Sequence, residues 1–304
     1  MLSSTFHEGE RDVQRCAGTE RSAAQIGRHI NTFLGDDHAE FLREQPFVVL
    51  AAQGEQGRVW ASLLVGGMGF ARALDERHLL LSATVRPGDP LSAALETPGT
   101  RLGLLAIEPD TRTRLRINGS IRRTADGILL TVQEAFGNCP KYIQRRVPIG
   151  AIEPARGEVL PDRCALGTTQ AALVRAADTF FIASVHPERG ADASHRGGRP
   201  GFVEVAGNGR VLRFPDYPGN RMFQTLGNLT VDARVGLLFC DWTTGMALQV
   251  TGEAQIIWDE DQVSRYSGAE RLVDVTVEAV HQQARAMPAR WNLIEPWQHN
   301  PPVE

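Results

Sequence analysis

A stretch of the first half of this chain returns in the second half at constant separation. Arg101-Leu102-Gly103-Leu104-Leu105 matches Arg234-Val235-Gly236-Leu237-Leu238, an offset of 234 − 101 = 133. The same offset pairs Thr111 with Thr244, Leu115 with Leu248 and Gly119 with Gly252. Positions 101 to 119 thus hold seven identities, where ordinary residue usage predicts about one. Upstream, Phe47 pairs with Phe180 at 133, and Ala61-Ser62 with Ala193-Ser194 at 132. A turn of different length between those two strands would give that one-residue slip. Any two β meanders look somewhat alike, but not seven times in register. The fold must be built twice.

The boundaries follow from the repeat. Residues 1–35 read as a lead-in, loosely ordered or helical, and 36–150 as the first unit. A linker at 151–165 belongs to a loop marked by Pro148, Pro154, Gly157 and Pro161. The second unit is 166–304, its repeat ending near 285 and the remainder forming a C-terminal extension. Asp36 or Asp37 is a cap for a short helix through Arg43. Phe47–Ala51 and Val59–Val65 form a hairpin. Strands at Leu79–Leu81, Leu102–Ile107, Thr113–Arg122 and Ile128–Ala135 follow, with Asp89-Pro90-Leu91 opening a helix. Some six short strands and one or two helices per unit predict a mainly β protein of two small antiparallel barrels.

Composition limits the function classes. With 32 basic and 36 acidic residues, net charge −4, nothing attracts the chain to nucleic acid or an anionic membrane. Cys16, Cys139, Cys164 and Cys240 are too scattered for a zinc site or a disulfide framework, so no metal is expected. Neither a membrane span nor an apolar leader is visible, and a cytoplasmic location is the expectation.

The segment richest in chemistry runs from Ser194 to Arg221. Strand alternation sends Ser194 and Arg196 to one face and His195 to the other. Gly197, Gly198 and Gly201 permit close backbone approach. Gly219-Asn220-Arg221 then leads into Met222-Phe223-x-x-Leu226-x-x-Leu229, an apolar run of helical period with Asn220 as its N-cap. Free N–H groups at that helix start, with Arg221 and Arg196, make a clamp for an anion. A surface turn with solvated arginines is the plain alternative. The first unit is an internal control. There Pro87-Gly88-Asp89 puts a carboxylate at the helix start, and Ser62-Leu63-Leu64 replaces Ser194-His195-Arg196. One phosphate site per chain is expected.

These residues resemble the FMN-binding split-barrel proteins related to pyridoxamine 5′-phosphate oxidase. The likeness is carried by Ser194–Gly198, Phe214-Pro215-Asp216-Tyr217-Pro218-Gly219-Asn220-Arg221, Leu226-Gly227-Asn228-Leu229 and Arg234–Phe239. In the first unit it rests on Gly103-Leu104-Leu105, Thr111–Gly119 and Gly137–Ile143. The resemblance implies two tandem FMN-binding split-barrel units with the flavin between barrels. By that likeness Ser194, His195, Arg196, Gly197, Asn220 and Arg221 surround phosphate and ribityl, His195 facing either ligand or core. Phe214, Pro215, Asp216 and Tyr217 line the ring edge, and Gln249 and Thr251 reach it from the barrel seam. Asn138, Lys141 and Tyr142 close over it from the first unit, or are simply a turn into the linker. Both barrels can come from one chain, or the chain can pair as a homodimer.

Arg112, Arg114 and Arg116 share one strand face. They read as a solvated sheet face, or as a second anion site or rim admitting a nicotinamide cofactor. The Arg-Leu-Ser-x-Arg-like segment with which the oxidase proper meets its substrate is missing. Arg290-Trp291-Asn292-Leu293-Ile294-Glu295-Pro296-Trp297 stands in the C-terminal region instead, so the resemblance does not carry over oxidation of pyridoxamine phosphate. The expectation is an FMN-dependent oxidoreductase acting on a small molecule or NAD(P)H. The alternative is a flavin-binding protein for storage, sensing or electron relay. Arg196 and Asn220-Arg221 argue against a barrel that has lost flavin, while a deazaflavin or other phosphorylated cofactor stays open because a phosphate cradle does not read the ring. No catalytic residue is assignable, His195 and Tyr217 being the titratable groups nearest the cradle.

Overall fold

The computed structural model describes residues 5–151 and 159–303. Pro154 and Gly157 of the linker lie outside the described residues. The first sheet contains β1 (Phe47–Gln53), β2 (Val59–Val65), β3 (Ala71–Asp75), β4 (His78–Leu81), β5 (Arg101–Glu108), β6 (Thr113–Thr124) and β7 (Gly127–Gly137). After β8 (Arg145–Ala151) and β9 (Val159–Arg163), the second contains β10 (Thr179–His186), β11 (Gly190–Gly197), β12 (Glu204–Ala206) and β13 (Val211–Asp216). It continues with β14 (Arg234–Cys240), β15 (Ala247–Ile257) and β16 (Arg271–Gln283). A last strand, β17 (Ala289–Glu295), pairs with β8 in a separate ribbon.

Both sheets have one order. The first runs β2-β1-β5-β6-β7-β4-β3 and the second β11-β10-β14-β15-β16-β13-β12, with β9 added on β16. The two ladders share even their irregularity. A bulge falls between Asn118 and Gly119 in one and between Thr251 and Gly252 in the other. The fold is mainly β, two split-barrel units in tandem.

Register corrects one detail of the repeat. Ala51 faces Ala61, and Ala183 faces Ala193, so β1 and β2 both map onto β10 and β11 at an offset of 132 (183 − 51 and 193 − 61). Phe47 therefore corresponds to Thr179 rather than Phe180, and the slip falls between β2 and β5. Each path has seven strands, one beyond the six expected, because β3 and β12 extend the edges.

The long apolar runs arise because these strands are covered on both sides. On β1, Val48, Leu50 and Ala52 fill the first barrel, whereas Phe47, Val49 and Ala51 pack between the barrels. On β10, Phe180 and Ile182 fill the second barrel, and Phe181 and Ala183 meet the same inter-barrel cluster. Gly103 and Gly236, equivalent at 133, make the approach possible. A Cβ on Gly103 would lie 2.6 Å from Asp192 Cα, and one on Gly236 2.7 Å from Trp60 Cα. The barrels therefore pack as a pseudo-symmetric pair within one chain.

The lead-in is ordered where described. It forms α1 (Glu8–Cys16) and α2 (Glu20–Ile26), followed by α3 (Asp36–Glu44), which starts at Asp36 with Gly35 in the cap position. Further helices are α4 (Ser92–Glu96), α5 (Thr168–Ala176), α6 (Gln224–Val231) and α7 (Glu260–Val263). Among the described residues, no helix is long and apolar enough to cross a membrane.

Candidate functional site

A cavity of about 80 Å³ lies where the end of β11 meets the first barrel. Ser194, His195, Arg196 and Gly197 form one wall, and Pro215, Asp216 and Tyr217, at the end of β13, form another. Arg114 and Arg116 enter from β6 of the first barrel, and Asn138 and Tyr142 from the segment after β7. Gly197 is required for this closure, since a Cβ there would overlap the Tyr142 carbonyl oxygen. The Tyr142 hydroxyl donates to the Pro218 carbonyl at 3.2 Å, and its ring lies 5.4 Å from that of Tyr217. Asn220 donates to Asn138 Oδ1. The cleft is a joint between barrels.

Its base is the turn before α6. The expected helix start at Asn220 is displaced: Asn220 Oδ1 accepts from Met222 N at 3.1 Å, and α6 begins at Gln224. Arg221 (φ 63°) and Phe223 (φ 62°) are left-handed, so the chain doubles back before the helix opens toward the cleft. Phe223 gives no side-chain cap, which leaves the first N–H groups of α6 to an incoming acceptor.

Charge in the cleft is unbalanced. Arg116 pairs with Asp192, Arg196 lies 3.8 Å from Asp216, Arg271 lies 2.7 Å from Asp216, and Arg221 lies 3.8 Å from Glu270. Among the described residues Arg114 meets no carboxylate; it donates to the Cys139 carbonyl and to His195 Nδ1. Five guanidinium groups against three carboxylates, 5 − 3 = 2, leave a surplus near the charge of a phosphate monoester at neutral pH. Burial pulls Arg114 down to about 10, still cationic at neutral pH. Arg114 Nε, Asn138 Nδ2, His195 Nε2 and Arg196 Nε are buried without a hydrogen-bond partner, a concentration of unmet donors that native interiors rarely keep. The donor set fits a phosphate, and the enclosed volume fits that end of a nucleotide-like cofactor rather than its ring system.

His195 is held neutral. Burial and the charges of Arg114, Arg196 and Arg146 hold its pKa well below the usual histidine value. With Nδ1 accepting from Arg114, the ring proton is on Nε2. Burial pushes Tyr142 and Tyr217 up to about 12, so both hydroxyls stay protonated. Burial also raises Asp216, against the opposing pull of Arg196 and Arg271.

Several sequence expectations are displaced. Phe214 is 1% exposed and packs on Phe180 inside the second barrel, because alternation along β13 turns it inward. Lys141 points to the mouth, where Nζ reaches the Pro218 carbonyl at 3.5 Å. Gln249 belongs elsewhere: its amide donates to the Ala61 carbonyl at 3.0 Å and to Ser62 Oγ at 2.7 Å. Thr251, two residues along the same strand face, is likewise buried outside the cleft. Arg114 and Arg116, read first as a solvated face, are in the wall. Arg112 alone leaves the cleft, pairing with Glu295 and covering the Trp297 ring. Gln224 and Thr225, not anticipated at all, complete the floor.

The equivalent joint on the other side is filled by the chain itself. Asp89 Oδ1 accepts from Leu91 N and Ser62 Oγ, and the Gln249 and Gln283 amides face Oδ2 at 3.4 Å each. Ala247 and Gln249 occupy the places of Arg114 and Arg116, and Leu64 that of Arg196. Neither arginine of β6 nor Arg196 has a cationic counterpart there.

Elsewhere, His7, Glu8 and His186 bring ligand atoms within 4.8 Å of one another. Both Nδ1 atoms accept backbone N–H groups, from Gly9 in one ring and from Glu188 and Arg189 in the other. Their Nε2 atoms face Asn228 Oδ1 and Glu8 Oε1, so each carries its proton there and presents no lone pair to a metal.

Fold and cleft together define a protein of two split-barrel units with an arginine-lined cleft at one joint between them. Residues 166–293 match the family model described as pyridoxamine 5′-phosphate oxidase. The second barrel is the part of the chain that carries this likeness to the pyridoxamine 5′-phosphate oxidase-related proteins. No curated protein matches it in sequence. Similar solved structures include Group A Streptococcus HupZ, 11% identical over 41% of this chain and 98% of that one, TM-score 0.32. An FAD binding protein from Mycobacterium smegmatis is 14% identical over 42% and 97%, TM-score 0.27. General Stress Protein 26 of Bacillus anthracis is 12% identical over 36% and 85%, TM-score 0.27.

Proposed function

We propose that the joint holds the phosphate of FMN, one per chain, in an oxidoreductase that acts on a small molecule or a nicotinamide cofactor. The observation that carries this reading is the charge surplus, supplied by arginines of both barrels around a turn that opens onto a helix N-terminus. Arg114, Arg196, Arg221 and the first N–H groups of α6 would bind the phosphate, with Ser194 and Asn220 placed for the ribityl hydroxyls. Tyr142 and Tyr217 would exclude water at the mouth and donate hydrogen bonds as neutral phenols. His195 would keep its proton on Nε2 and act as a donor, not a base. Bound FMN supplies hydride and electron transfer through its ring.

A specific observation favours the second reading, a flavin carrier. Of the titratable cleft groups described, His195 is held neutral and both tyrosines sit near 12, so none of these three exchanges protons near neutral pH. A visible spectrum of the purified protein separates the readings. Bands near ~375 and ~450 nm mark oxidised flavin. Bleaching on addition of NADH or NADPH supports the oxidoreductase, and persistent bands support the carrier. A colourless protein that refuses added FMN removes both.

A further inference from the structure

The cradle turn is held from behind by a segment that belongs to neither barrel. Arg221 and Phe223 are both left-handed, a conformation that a residue with a Cβ keeps only when its surroundings over-determine it. Met222, between them, is the fixed point. Its N–H goes to Asn220 Oδ1 at 3.1 Å, and its carbonyl accepts from Gln14 Nε2 at 3.0 Å. Its side chain is 2% exposed in a cluster with Phe6, Ala23 and Phe136. Phe136 is also the ring on which the Arg116 guanidinium lies, 4.8 Å away.

Gln14 is on α1, and α1 is locked against α6. A Cβ on Gly227 would lie 2.6 Å from Glu10 Cα, and His7 Nε2 meets Asn228 Oδ1 at 3.0 Å. Gln14 is 3% exposed, and its amide reaches the turn itself. Loss of that donor would leave the Met222 carbonyl buried without it and the doubled-back turn free to relax, taking Arg221 and the start of α6 off the cleft.

We propose that Gln14 is a positioning residue for the phosphate cradle, setting the turn that aims Arg221 and the α6 N-terminus. The proposal rests on the reading of the cleft as a phosphate site. FMN and riboflavin differ only in the phosphate, so their two dissociation constants isolate what Gln14 does. In Gln14→Met, which matches the side chain in length but has no donor, FMN should bind about five- to tenfold more weakly. Riboflavin affinity and the far-ultraviolet circular dichroism should stay at wild-type values. Equal weakening of both ligands, or an unchanged preference for FMN, overturns the assignment, because a merely structural role would not single out the phosphate. Wild-type protein that binds the two flavins equally overturns the phosphate reading beneath it, a result separable from the first. If Gln14→Met does not fold, Phe6→Leu loosens the Met222 seat from the same segment without touching the cleft. Selective loss of FMN there upholds the role, and an unchanged preference overturns it.

Discussion

Arg114 is the residue on which the cleft's electrostatics turn. Its cross-strand partner is Ile107, and that of Arg116 is Leu105; both partners pack into the inter-barrel cluster. The alternation of Arg112, Arg114 and Arg116 was legible in sequence, but which strand face meets a second barrel is not a property of one strand. The repeat did hold the missing signal. Adding 133 to 116 gives 249 and to 114 gives 247, so Gln249 and Ala247 mark the opposite joint, in the places that Arg116 and Arg114 hold at the cleft. Arg114→Met should therefore weaken FMN by about 10- to 100-fold, the value of a lost charge-assisted hydrogen bond. Asp89→Asn, in the filled joint, should leave FMN affinity within about twofold. Flavin fluorescence titration of both variants decides the matter, and equal losses would sink the one-site reading.

At the scale of elements, the strands were readable and the turn before α6 was not. Apolar alternation and repeat register located the strands, whereas an Asn side chain bonded two residues ahead looks in sequence like a helix cap. The docking of α1 was also invisible, because a charged helix with a buried Glu10 gives no sign of a core-facing side. Burial pushes Glu10 up to about 8, with Glu134 and Asp192 adding repulsion and the His7 N–H and Arg189 opposing it. A carboxyl raised in the folded state stabilises docking fully below its unfolded pKa, and that stability is lost as pH rises through about 8. His7 acts at the other end. Burial and the neighbouring His186 lower it to about 4, so its contribution is present above its unfolded value and lost as pH falls through about 4. Between pH 5 and 6.5 the two contributions oppose each other, so melting temperature in the wild type should be nearly level there and decline from pH 6.5 to about 8. Glu10→Gln keeps the acceptor for the His7 N–H and should flatten that decline. A slope identical in both proteins would show that Glu10 is not the group responsible.

The whole molecule is a pseudo-symmetric pair of barrels in one chain, and the two joints differ in charge: Arg114, Arg116 and Arg196 at one are replaced by Ala247, Gln249 and Leu64 at the other. That asymmetry fixes what a separated half can do. The second barrel alone retains Ser194, Arg196, Asn220 and Arg221 but exposes the apolar face built from Phe181, Ala183, Ala193 and Leu238. It would be driven to cover that face, and a second copy would present Ala247 and Gln249 where the first barrel presents Arg114 and Arg116. Pairing through the same surface would restore burial without restoring charge. Residues 166–304, expressed alone, should therefore associate yet bind FMN at least about 100-fold more weakly than the full chain, consistent with loss of two charged contacts. Addition of separately expressed 1–150 should bring the flavin back, since it returns both arginines, Tyr142 and α1 to the joint. Wild-type affinity in the isolated second half would mean that the first barrel is only scaffold, and that Arg114 and Arg116 hold the barrels together without taking part in the site.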